Sequence, residues 1–410
     1  MKTKQLLTTC VYTGTLLLVV VAARAEIPPL LPAPAPQQVI LQLSATDRWL
    51  AVFNNAVQSS ASADESTVTA IPGAPVAAIR ELLQRARETG DQRLLGQALH
   101  LLNQIPTPDT EIQLLRASTL QALHRFAPAL DELRTVLQRE PANAQAWLLQ
   151  AALHNVRGNY GAAQFACRQL LGKVPALLSG SCSSSVLARQ GQAERAYALL
   201  EQLYIQTAPA LNSPDILHHA QVSLAEIAEQ LGDPAATRWW NLAHESRPRD
   251  LYTRIGATRN AYYRGAYTDV VAMTENSSDI DALALLRALA LEHLQQPDAQ
   301  VLRQQLAQRV ALARERGDTL HARDQAAILL DLLLQPGEAL ALAQQNWKEQ
   351  REPEDTALLL RAALAAQRPD IYRETTQWLH QWKQWHVRYP TQSTNDRYAM
   401  TGAARQEFLP

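Results

Sequence analysis

One interval organises this chain. Ala117, Phe126, Ala129, Leu137 and Pro141 recur as Ala151, Tyr160, Ala163, Leu171 and Pro175, a constant step of 34 residues. A step of that size is the mark of stacked helical hairpins, because one hairpin cannot cover its apolar face alone and must be stacked on neighbours. A third copy follows at a step of 33: Gly158, Ala163 and Leu170 correspond to Gly191, Ala196 and Leu203. Gly232 and Gly265 repeat the interval, and Arg264-Gly265-Ala266-Tyr267 echoes Arg157-Gly158-Asn159-Tyr160. The predicted fold class is therefore all-α, an α-solenoid of about nine stacked hairpins. Arrays of this kind present binding surfaces rather than enclosed catalytic pockets.

Composition agrees. Among 410 residues there are only 15 Gly and 4 Phe, while Ala, Leu and Gln dominate. Those three lose little on entering a helix, whereas β-branched residues, which favour strands, are sparse. No long stretch alternates with the period of a strand.

The N-terminus reads as a secretory signal over residues 1–25. Lys2 and Lys4 precede an apolar run, Thr15 to Ala22, that is too short to span a membrane, and Ala23-Arg24-Ala25 supplies a small-x-small cleavage pattern. The alternative is a retained N-terminal anchor. Cleavage predicts a periplasmic or secreted protein with no integral span. It removes Lys2, Lys4 and Arg24, leaving 35 basic against 39 acidic residues. That balance carries no basic face for nucleic acid and no polybasic membrane patch. Cys167 and Cys182 remain, on the second helix of one hairpin and the first of the next. A disulfide and a pair of buried thiols both fit that placement.

Residues 26–75 read as a Pro-, Ser- and Ala-rich linker with a short helix possible over 39–57, and the Pro-rich part is a candidate to lie in a groove of the array. The regular solenoid is expected over 76–276. An irregular helical-hairpin continuation and cap is expected over 277–388, with turns near Pro297, Gly317, Pro336, Pro353 and Pro369, and a loose tail over 389–410. Thr207 to Pro214 reads as an inserted loop.

Trp147, Ala151, Gly158, Tyr160, Ala163 and Pro175 together resemble the tetratricopeptide repeat (TPR) family, most closely over residues 111–206 and less so over 215–276. Small Ala151 and Ala163 permit a close helix crossing, Trp147 and Tyr160 fill the space around it, Gly158 makes the turn and Pro175 stops the second helix. Gln113 and Gly180 depart from the pattern where Trp147 stands, and Cys167 occupies a usually aromatic site. The resemblance, closest to exported bacterial members, implies a right-handed solenoid. It also implies a concave groove lined by the first helix of each hairpin. Carried over by register, the groove residues are Leu114, Ser118 and Gln121; Leu148, Ala152 and Asn155; and Ser181, Ser185 and Ala188. That set has no Lys or Arg cluster, so it suits a partner helix or extended segment rather than a carboxylate. The expected function is a non-catalytic scaffold or adaptor for another envelope protein. The alternative is an accessory subunit of an envelope enzyme or polysaccharide-export complex.

No Walker loop, dinucleotide fingerprint, GxSxG or HExxH motif is present, so no cofactor or metal is expected and no catalytic residue is assigned. The ten histidines form no metal motif; His218 and His219 point about 100° apart on a helix. Gly180-Ser181-Cys182-Ser183-Ser184-Ser185 reads as small residues at a close helix approach. Glu352, Glu354 and Asp355 read as a helix start or a solvated face. Ile371, Thr375, Trp378, Trp382 and Trp385 step by four and three, forming one stripe. Core packing on the preceding hairpin and an exposed ridge for a partner are the two readings of its tryptophans.

Overall fold

A computed structural model of the chain describes residues 74–318 and 321–390. The predicted signal segment, the linker up to residue 73 and residues 391–410 lie outside the described residues. Among the described residues there are helices and turns and no strand.

The helices pack in consecutive pairs. They are α1 (Ala74–Thr89) with α2 (Gln92–Asn103), α3 (Thr110–Ala122) with α4 (Phe126–Arg139), and α5 (Ala144–Val156) with α6 (Tyr160–Arg168). Next come α7 (Ala176–Arg189) with α8 (Ala193–Thr207), α9 (Pro214–Leu231) with α10 (Ala235–Ser246), and α11 (Leu251–Tyr263) with α12 (Tyr267–Met273). The last are α13 (Asp281–His293) with α14 (Asp298–Glu315), α15 (Ala322–Ala327) with α16 (Pro336–Glu349), and α17 (Pro353–Ala365) with α18 (Pro369–Trp382). The first helix of several pairs is started by a side chain. Asp109, Asn143 and Asp250 each accept the backbone N–H of the residue three positions on, satisfying a donor that has no partner inside the helix.

Each pair turns on one residue with positive φ. These are Gly90, His124, Gly158, Gly191, Gly232, Gly265, Gln295, Leu334 and Gln367, all with φ between 53° and 76°. The spacing of these turns lengthens where the chain carries extra residues. A 3₁₀ turn at Ala208–Ala210 precedes α9, at the predicted insertion, and α15 runs on as a π-helix over Ile328–Leu332. The irregular continuation is thus built from the same unit as the regular part.

The apolar core is segmental. One cluster runs from Leu148 to Ala257 around fully buried Tyr160, Trp239 and Trp240. Another runs from Ala284 to Leu379. Half-buried Trp378 packs against both. Between α6 and α7, Cys167 and Cys182 are joined in a disulfide with Cα atoms 5.7 Å apart. On α7, Gly180 lies where a Cβ would collide with Leu203 of α8, which gives the small residues of that helix their packing role.

Contacts between distant pairs add a second level. The α1–α2 turn meets the start of α11, with Gly90 against Leu251, and Gln92 bonds His321 ahead of α15.

Candidate binding surface

The C-terminal ends of α3, α5, α7, α9 and α11 all meet residues 347–390. His124 follows α3, and its Nδ1 lies 2.8 Å from Gln350 Nε2. Arg351 N–H donates to Val156 O at the end of α5, at 2.7 Å. At the end of α9, Gln230 Nε2 donates both to Ala188 O of α7 (3.0 Å) and to Trp385 O (2.9 Å). Val387 N–H donates to Gln230 O at 3.0 Å. Helix ends carry carbonyls without intrahelical partners and a partial negative charge, so backbone donors and cations are the groups that settle there.

Residues 383–390 leave α18 as an irregular strap along this row of turns. A Cβ on Gly158 would lie 3.0 Å from Trp378, and one on Gly191 would lie 2.5 Å from Lys383 O. A Cβ on Gly232 would lie 3.1 Å from Val387. Gly265, next in the row, has nothing within 4 Å of the same point. The strap closes on an ion-pair group. Arg388 Nη2 lies 3.3 Å from Glu229 and 2.9 Å from Glu354, and its guanidinium sits 4.2 Å over the Tyr263 ring. Arg259 bridges the same two carboxylates at 3.1 and 3.6 Å.

Burial alone would push the Glu354 carboxyl up; Arg259 and Arg388 instead hold it well below the usual carboxylate range. Its neighbour Asp355 is only 1 % exposed, and burial pushes its carboxyl up to about 7 despite Arg323 at 3.6 Å. Burial, followed by Arg323 and His321, lowers His124 to about 4. Burial and Arg388 hold His386 well below the ordinary histidine range. Both rings are therefore neutral near pH 7.

Several sequence expectations are corrected here. Leu114, Leu148, Ser181 and Ala188 are buried rather than groove-lining, because α3 packs on α5, α5 on α7 and α7 on α9. Ser118, Gln121, Asn155 and Ser185 are half-buried, with Ser185 Oγ 3.3 Å from Ser223 Oγ of α9; only Ala152 is exposed. The tryptophan stripe is interrupted, since α18 ends at Trp382 and Lys383 turns with φ 53°. Trp378 and Trp382 pack on Tyr160 at 6.1 and 5.0 Å between ring centroids, and Trp378 also on Trp347 at 5.2 Å. Trp385 lies past the helix and is 38 % exposed. Glu352 and Asp355 do start a helix, as a capping box on α17, but Asp355 is buried in an ion-pair group rather than solvated. Tyr389 and Pro390, expected in a loose tail, are held, with Tyr372 Oη donating to Pro390 O at 2.8 Å. The sequence reading missed Glu229, Arg259 and Arg388 altogether, since they are too far apart in the chain for spacing to link them.

A second polar chain joins α9, α10 and α11. His218 Nδ1 lies 2.9 Å from Ser246 Oγ and 3.2 Å from Ala243 O, and its Nε2 lies 3.3 Å from Thr253 Oγ1. Thr253 Oγ1 donates to Asp250 at 2.7 Å. A serine beside a histidine and a carboxylate invites comparison with an activated nucleophile. Yet Ser246 ends α10, and the backbone group bonded there is the Ala243 carbonyl, which accepts from Ser246 at 2.8 Å. Acyl transfer needs N–H donors for its oxyanion, and a helix C-terminus presents the opposite polarity. The chain is read as a pin between three helices.

Among the described residues no group of three or more His, Cys, Asp or Glu is placed to hold a metal ion, and no helix is long and apolar enough to cross a membrane. A scan against protein-family models finds no match, and neither does a search of curated proteins.

Proposed function

We propose that the protein is an exported TPR-like scaffold, a right-handed solenoid of about nine hairpins. In this reading it binds a helix or extended segment of another envelope protein and carries out no chemistry. The observation that carries the reading is the row of paired helices turning on one positive-φ residue each, an architecture that builds surface rather than pockets. The Cys167–Cys182 bridge supports export, since such bonds persist in oxidising compartments. On this reading the partner contacts the accessible members of the register, Ala152 with Ser118, Gln121, Asn155 and Ser185.

A photo-cross-linking residue at Ala152, compared with one at exposed Leu312 on α14, tests this in the native envelope. One discrete envelope protein captured from position 152 and not from 312 is the expected result. Equal capture from both positions, or none from either, counts against the scaffold.

A further inference from the structure

The strap of residues 383–390 differs from the helices it crosses in what holds it. Its outer side chains remain open, with Val387 56 % exposed and Trp385 38 % exposed. Its inner contacts are mainly polar, with one apolar anchor at the far end, where the Tyr389 ring packs on the apolar cluster of α13–α18. The polar ones comprise the bonds of Val387 N–H and Trp385 O to Gln230, the weak 3.4 Å contact of Tyr160 Oη with Gln384 Oε1, the Arg388 ion pairs, and the Tyr372 Oη bond to Pro390 O. Gln384 Nε2 and Arg388 Nη1 are buried with no hydrogen-bond partner in the protein, so the closed state leaves polar groups unmet. The helix before the strap is anchored more extensively, with Ile371, Tyr372 and Leu379 all buried in that apolar cluster. Lys383, a non-glycine residue in the left-handed region, stands at the junction. A segment with a single apolar anchor, at the end away from its strained joint, sits lower in the stability range of a fold than the helices it crosses.

We propose that residues 383–390 form a releasable latch that hinges at Lys383 and, when closed, covers the ends of α7 and α9. Opening uncovers the Gly191 and Gly232 turns, the Gln230 carbonyl and the Glu229 carboxylate. Together these form an acceptor-rich rim, in which Glu229 and Glu354 lose Arg388 and keep Arg259, that fits an extended partner segment bearing a cation in the place of Arg388. This deepens the scaffold reading and rests on it: the strap is the chain's own occupant of the rim, and a partner must displace it.

Amide hydrogen exchange on the full chain tests the latch without any partner, so a failed partner search and a failed latch are distinguishable. Three amides report on three levels. Val387, bonded to Gln230 O, follows the strap. Arg351, bonded to Val156 O, follows the α16–α17 junction. Fully buried Leu133 in α4 follows global unfolding. The expected result is a protection factor at Val387 at least about 100-fold below that at Leu133. Raising salt from about 0.05 to 0.5 M is expected to lower it further by about two- to threefold, because the Arg388 pairs are largely buried and only partly screened while the strap is closed. Glu354→Gln is expected to act in the same direction, with Arg351 and Leu133 unchanged. Exchange at Val387 that tracks Leu133 in the wild type at both salt concentrations overturns the latch. Equal acceleration of all three amides in Glu354→Gln also overturns it, by making the clasp part of the global fold. The salt series on the unaltered protein decides the question if that variant does not fold.

Discussion

The pairs from α5 to α12 and those from α13 to α18 make the same turn with different residues. In the first group it is glycine, at Gly158, Gly191, Gly232 and Gly265, with φ between 69° and 76°. In the second it is Gln295, Leu334 and Gln367, with φ between 54° and 58°. A side chain in the left-handed region costs roughly 1–2 kcal/mol, so the later turns are held by packing rather than by local preference. The repeat is therefore loud in sequence where glycine makes the turn and faint where tertiary contacts impose it. The two groups also meet: α18 and the strap of the second lie along the glycine turns of the first.

The largest test of that meeting is Tyr160→Ala. Tyr160 is fully buried and touches both Trp378 and Trp382, so its loss opens a cavity at the junction of two cores. A stability loss of about 3–5 kcal/mol is expected in urea unfolding. A loss below about 1 kcal/mol would show that the two regions are not coupled through this ring.

Gly191→Ala and Gly265→Ala separate turn strain from strap contact. Both have φ near 75°, so both incur the left-handed penalty of roughly 1–2 kcal/mol. Only Gly191 has Lys383 in the way of a new Cβ. Gly191→Ala is expected to be the more destabilising by about 1 kcal/mol or more, by analogy with overpacking elsewhere. Equal midpoints in thermal unfolding would mean that the strap yields without cost, which itself favours an easily opened latch.

Acid probes a different contact, that of His124, after α3, with Gln350 of the second group. His124 is neutral in the fold, lowered to about 4, while in the unfolded chain it titrates near 6.5. Between those values the unfolded chain binds more protons, so this residue's contribution to stability is intact above about pH 6.5 and declines as the pH falls towards 4. Chemical denaturation at pH 7.5 and 5 is expected to show a smaller drop for His124→Gln than for the wild type. The same drop in both would remove His124 from the account.

The smallest expected effect is a gain. Gln295→Gly relieves a left-handed side chain and adds freedom to the unfolded chain, for a net change of a few tenths to about 1 kcal/mol. A gain at Gln295 and none at Leu334 would show that packing around Leu334 has already absorbed its strain.

Much of the fold was legible beforehand. The solenoid expected from residue 76 begins with the pair Ala74–Thr89 and Gln92–Asn103, and Gly158 and Gly191 turn where their spacing placed them. The candidate surface was much less so. Register carried Leu148 and Ser181 to a groove, but register does not say how closely α5 and α7 pack, and both side chains are interior. The C-terminal stripe was read as one helix face, whereas the chain leaves the helix at Lys383 and sends Trp385 elsewhere.

The sequence by itself determined the helices, the hairpin interval and the glycine turns, because these depend on residues a few positions apart. It also set Cys167 and Cys182 on adjacent helices; the fold brought their Cα atoms to 5.7 Å. Only the tertiary structure decided that the ends of α3, α5, α7, α9 and α11 meet residues 347–390, and that Glu229 pairs with Arg388, 159 positions away. Such meetings depend on small rotations between stacked pairs added over many units, and no local pattern of residues records that sum.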